Sequence, residues 1–144
     1  MKKIALALIA TSLVSFNSQA SQKVVYGDDN RVDVFASNNS MYVELSKSTA
    51  AMISGSSLSK DSSGEYKISG KSLEDRGMCK SERFSAQKSA ANCSGFLVGE
   101  NLLVTAGHCI KDQASCSSYK WVFDYKVEFE NQFDFTVPAT SVYS

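Results

Sequence analysis

The chain has 144 residues, 43% apolar and 21% charged, with 15 basic residues against 15 acidic ones. That composition suits one modest hydrophobic core and excludes a disordered chain. The basic residues are scattered and balanced by acidic ones, which excludes a broad face for nucleic acid or another polyanion.

Residues 1–20 read as a signal peptide. Met1, Lys2 and Lys3 give a positive start, and Ile4 to Phe16 is mostly apolar but too short to span a bilayer. Ser18, Gln19 and Ala20 then put small residues at the two positions a signal peptidase reads. The mature chain is expected to begin at Ser21 and to form one domain over residues 21–144. It is expected to be secreted or periplasmic, with no membrane contact after cleavage.

Residues 21–76 carry short apolar runs, "KVVYG", "VDVF", "MYVEL" and "STAAMI", separated by turn signals such as "GDDN" and "SNNS". These predict short strands and loops. The polar stretch "SGSSLSKDSSGE", Ser54 to Glu65, predicts a flexible loop. From Cys93 the strand signal strengthens. "CSGFLV" and "LLVTA" flank "GEN", Gly99 to Asn101, a spacing that predicts a β-hairpin. Trp121, Phe123, Tyr125, Val127 and Phe129 alternate with mostly polar residues, which predicts a strand with one wet face. With one proline and no long 3.6-residue apolar period, the fold class expected is all-β.

Four cysteines, Cys79, Cys93, Cys109 and Cys116, lie after the signal segment. In an oxidising compartment an even set predicts two disulfides, with three pairings open. Zinc held by His108 and three thiolates is the rival, but the adjacent His108 and Cys109 would crowd one ion and no CxxC or HxxxH spacing is present. No phosphate loop is present either, so neither a metal nor a cofactor is expected.

His108 is the only histidine. Histidine presents a nitrogen that titrates near neutrality, which suits it to general-base work with little perturbation. It follows an apolar run directly, with Ala106 and Gly107 leaving space beside the imidazole.

The segment "CSGFLVGENLLVTAGHC" resembles the strand pair and histidine block of trypsin-like, chymotrypsin-fold serine endopeptidases. Thr105, Ala106, Gly107, His108 and Cys109 fill that block without a gap. "VVYGDDNRVDV" is similar to the segment near the mature amino terminus of the bacterial glutamyl-endopeptidase-like branch. The resemblance implies the amino-terminal barrel of a double β-barrel, with His108 as general base and protein or peptide as substrate. It also implies a Cys93–Cys109 disulfide, which leaves Cys79 and Cys116 as the second pair.

The remaining triad members are not evident. In chymotrypsin-type enzymes the carboxylate follows the histidine by roughly 45 residues and the serine by roughly 90 more, which falls beyond residue 144. Asp134 and Asp124 are the nearer candidates for the orienting carboxylate, but Asp134 leaves little chain after His108 for the intervening strands, and Asp124 falls on the polar side of a predicted strand, where a solvated charge is the ordinary reading. Ser62 in "KDSSGE" precedes the histidine, and Ser94 in "CSGF" belongs to a packing strand. The second barrel is therefore expected to be absent from these residues, and the chain alone to be inactive. Two other readings are a non-catalytic secreted binding or scaffold module and a small disulfide-stapled structural protein.

Overall fold

The computed structural model describes residues 27–132 and 134–144. The signal segment and most of "KVVYG" lie outside them. The chain divides into a unit ending at Arg31 and a unit Val32–Ser144. In the first, the Arg31 guanidinium donates to both carboxylate oxygens of Asp29, at 2.8 Å each.

Among the described residues every strand lies in the second unit. Its centre is β1, Thr49–Ser54, whose Ala50, Ala51, Met52 and Ile53 are all buried. A strand buried on both faces reads as a continuous apolar run rather than an alternation, and "TAAMI" is such a run. It lies between β4, Ala91–Gly99, and β6, Tyr119–Val122, antiparallel to both. Outside these run β5, Leu102–Thr105, and β8, Val142–Tyr143, giving the order β5-β4-β1-β6-β8. A second antiparallel sheet, β2-β3-β7, joins Leu58–Lys60, Tyr66–Ile68 and Phe135–Val137. Ile68, Phe135 and Val137 pack against Ala51, Ile53 and Val122, so one core fills the space between the two sheets. The all-β class expected from the sequence is the one observed.

Four local expectations are corrected. "VDVF" contributes a 3-10 turn, Val34–Ala36, not a strand. "MYVEL" lies in a helix, α1, Ser40–Ser46, because Asn39 caps it: its side-chain oxygen accepts from the Met41 and Tyr42 backbone N–H groups at 3.0 and 3.4 Å. The Ser54–Glu65 stretch is ordered as a 3-10 turn, Gly55–Ser57, followed by β2. Asp61 closes the turn after it by accepting from the Ser63 N–H, the Ser63 hydroxyl and the Glu65 N–H. Such side-chain-to-backbone bonds give a polar segment a defined shape without an apolar residue.

The fourth correction concerns the alternating run from Trp121. The strand ends at Val122, and Asp124 takes φ 58°, a left-handed conformation that turns the chain. Aspartate tolerates that region because its short side chain bonds locally. Here it accepts from Lys126 Nζ at 3.0 Å and from the Ser141 hydroxyl at 2.9 Å. Both partners, Lys126 foremost, hold its carboxyl below the usual carboxylate range.

Because the folded value lies below the unfolded one, this stabilisation is present above the ordinary carboxylate range and is lost as pH falls through the folded value. The carboxylate is partly solvated, which limits the effect at neutral pH to about 1 kcal/mol. Comparing urea midpoints of wild type and Asp124→Asn from neutral pH into acid should show the two converge as the acid range is entered. A constant difference would disprove the linkage.

Candidate active-site histidine

The β4–β5 hairpin forms as the sequence predicts, with Gly95 opposite Thr105, Phe96 opposite Val104 and Leu97 opposite Leu103. At its far end the Thr105 hydroxyl donates to the Ser94 carbonyl at 2.8 Å, tying the last residue of β5 to β4. The chain then turns: the Cys109 N–H donates to the Ala106 carbonyl at 2.9 Å, closing a tight turn that contains Gly107 and His108. Cys93 and Cys109 form a disulfide with Cα atoms 6.1 Å apart. The turn is thus fastened to β4 twice, once by a hydroxyl and once by a covalent bridge. Cys109 is buried and His108 is exposed, so the bridge anchors the turn on the protein side while the imidazole faces solvent. A Cβ at Gly107 would meet nothing within 4 Å beyond its chain neighbours, so that position of the turn is open.

The donor atoms of Cys93, His108 and Cys109 lie within 4.8 Å of one another. With the two sulfurs bonded to each other neither is a thiolate, and the imidazole alone is left as a metal donor. Cys79 and Cys116 are exposed free thiols. This corrects the second disulfide expected between them. Cys79 sits in the loop after the 3-10 turn Glu74–Arg76, and Cys116 lies in helix α2, Gln113–Ser118.

Among the described residues no side chain hydrogen-bonds the His108 ring. Asp124 is held by Lys126 and Ser141 at the end of β6, and Asp134 is paired with Lys88 just before β7. Lys88 holds the Asp134 carboxyl below its usual range. Both aspartates thus have structural partners. Ser94 lies exposed on β4, and Ser62 lies in the Asp61 turn. Neither bonds the histidine. A groove of about 660 Å³ bordered by Leu97, Leu103, Trp121, Phe123 and Tyr143 does not include His108.

A family model described as Trypsin matches residues 68–141, slightly more than half of the chain. The chain belongs to the trypsin family. The match takes in β4, β5, the histidine turn and β6, so the trypsin-family block coincides with the hairpin whose geometry is described above. No curated protein and no solved structure matches the chain.

Within this trypsin-family segment the sequence reading missed Gly95, and it named Thr105 only as part of the histidine block. Thr105 braces the turn through its hydroxyl, and Gly95 lets β5 approach β4. The signal for Gly95 was available, since a glycine inside a strand pattern marks a close approach. Thr105 offers no such signal, because its role depends on which carbonyl β4 presents to it.

Proposed function

We propose that these residues are the histidine-bearing barrel of a secreted serine endopeptidase of the glutamyl-endopeptidase-like branch, in which His108 is the general base. The observation that carries this reading is an exposed imidazole on a turn fastened by both a disulfide and the Thr105–Ser94 bond. Fastening fixes where the backbone of the turn presents His108, and exposure leaves the ring free to take a proton from a serine hydroxyl attacking a peptide carbonyl. That reaction also needs a carboxylate that orients the ring, a serine and oxyanion-hole donors, and among the described residues no carboxylate or serine side chain hydrogen-bonds His108. The histidine is required in that reaction but does not complete it.

The 144-residue polypeptide by itself is expected to form no acyl-enzyme. No Gly-Asp-Ser-Gly-Gly segment, whose backbone donors serve the developing negative charge in the family, follows His108, and one such donor is worth about 3 kcal/mol. Purified protein is expected neither to react with a fluorophosphonate probe nor to cleave casein, and His108→Ala is expected to change neither result. Labelling that disappears in the variant would reveal a nucleophile within the chain, with Ser94 and Ser62 the first residues to examine.

A non-catalytic binding module is the second reading, favoured by the absence of any hydrogen-bonded carboxylate or serine at His108 among the described residues. The two separate on the coding sequence downstream of residue 144. An aspartate strand and a Gly-Asp-Ser-Gly-Gly segment there support the endopeptidase, and their absence supports the module.

A further inference from the structure

The histidine turn gathers two sulfurs and a ring nitrogen, from Cys93, Cys109 and His108, within 4.8 Å of one another. Adjacent though they are in sequence, His108 and Cys109 thus bring their donor atoms within reach of a single ion. In a tetrahedral zinc site, bonds of about 2.3 Å to sulfur and about 2.0–2.1 Å to nitrogen put neighbouring donors about 3.6–3.8 Å apart. The ring nitrogen therefore needs only a small shift to stand at that distance from either sulfur. The sulfurs can part by that much through side-chain rotation once they are no longer bonded, because their Cα atoms are 6.1 Å apart. Opening the bridge does not release the backbone that carries the donors. The Thr105 hydroxyl still donates to the Ser94 carbonyl, the Cys109 N–H still donates to the Ala106 carbonyl, and Gly95 still pairs with Thr105.

We propose that reduction of the Cys93–Cys109 bridge converts the histidine turn into a zinc site. The ligands are the two sulfurs and one ring nitrogen of His108, and water takes the fourth position. The reductant is a dithiol. It gives two electrons and two protons to the bridge, whose S–S bond breaks to leave two thiols, and closes its own disulfide. Zinc then displaces the two thiol protons, since the thiolate is the metal ligand. Two thiolates and an imidazole suit zinc, which is borderline-soft and accepts sulfur and nitrogen together. With the bridge intact the imidazole is the one donor left, so the state of a single bond sets the affinity for the metal. The inference rests on the donor geometry and holds whether or not His108 is a general base.

Zinc titration of the oxidised and reduced protein, prepared without a histidine tag, tests this. Cys79 and Cys116 are free thiols and are alkylated first, with the bridge intact, so that reduction exposes only the pair at issue. A tertiary phosphine then reduces the bridge, leaving as the phosphine oxide with oxygen from water, and is removed anaerobically. Calorimetry is expected to show one zinc per reduced chain, bound at least about a hundredfold more tightly than by the oxidised chain. Cobalt in place of zinc is expected to give thiolate-to-metal charge-transfer absorption in the reduced protein alone. His108→Ala is expected to weaken zinc at least about tenfold, since changes outside the ligand set already cost about 10- to 100-fold. His108 is the only histidine, so its ring resonances report ligation without ambiguity and are expected to shift when zinc is added to the reduced chain. If His108→Ala does not fold, those resonances decide. The proposal is overturned if oxidised and reduced chains bind zinc equally, if His108→Ala leaves the affinity unchanged, or if the ring resonances stay in place. It is also overturned if reduction abolishes the β-sheet circular dichroism and zinc does not restore it.

Discussion

Replacing both Cys93 and Cys109 with serine is expected to lower the unfolding free energy by about 3 kcal/mol. The bridge closes a sequence separation of 16 residues, and in the chain-entropy model a loop of that size restricts the unfolded ensemble by this amount. Cys109 is buried, so a serine hydroxyl there would also need a hydrogen-bond partner. Urea unfolding of the wild type and the double variant, with Cys79 and Cys116 alkylated in both, isolates the bridge. A loss well under 1 kcal/mol would show that the turn holding His108 is fixed by its hydrogen bonds alone. In that event the Thr105 hydroxyl would be the principal brace.

Gly95→Ala should cost about 1–3 kcal/mol, the usual range for overpacking a well-filled site. A Cβ there would lie 2.4 Å from Leu103 Cδ2, 3.0 Å from Trp121 Cζ3 and 3.0 Å from the Val104 carbonyl oxygen. Leu103 can turn aside to a different rotamer. The carbonyl cannot, because it belongs to the backbone of β5, so relief requires the hairpin to open. Opening it would carry the histidine turn away from β4. Gly107→Ala is the matching control, since the same added methyl group meets nothing within 4 Å. Its effect on the urea midpoint should be close to zero or slightly stabilising through reduced unfolded-state entropy. Equal effects of the two substitutions would refute the packing account of Gly95.

These two predictions concern the part of the molecule most legible in the sequence. The hairpin could be read because both strands are apolar and the three residues between them favour a turn, all within a few positions of one another. His108 could be read because its neighbours, from Thr105 to Cys109, form a contiguous block. The run from Trp121 was misread for a different reason. The burial does not follow the alternation: Val122, from the other set, is buried, Phe129 is exposed, and period-two patterning does not show where the backbone turns left-handed. Asp124 turns there because Ser141, far along the chain, supplies a hydroxyl for its carboxylate. The "MYVEL" segment was misread because an apolar run of five residues is ambiguous between strand and helix, and the Asn39 cap decides for the helix.

The all-β class, the hairpin, and the histidine with its neighbouring cysteine are legible without a structure, since each rests on local composition or on a contiguous motif. The Cys93–Cys109 bridge was implied by the family resemblance, but that Cys79 and Cys116 remain thiols is legible only in the fold, because pairing depends on distances between elements remote in sequence. The same holds for the aspartates. Asp124 and Asp134 were candidates to orient the imidazole as long as only chain position was known. The fold commits them instead to Lys126 and Ser141, and to Lys88, because a carboxylate bonds to the donors that packing brings within reach.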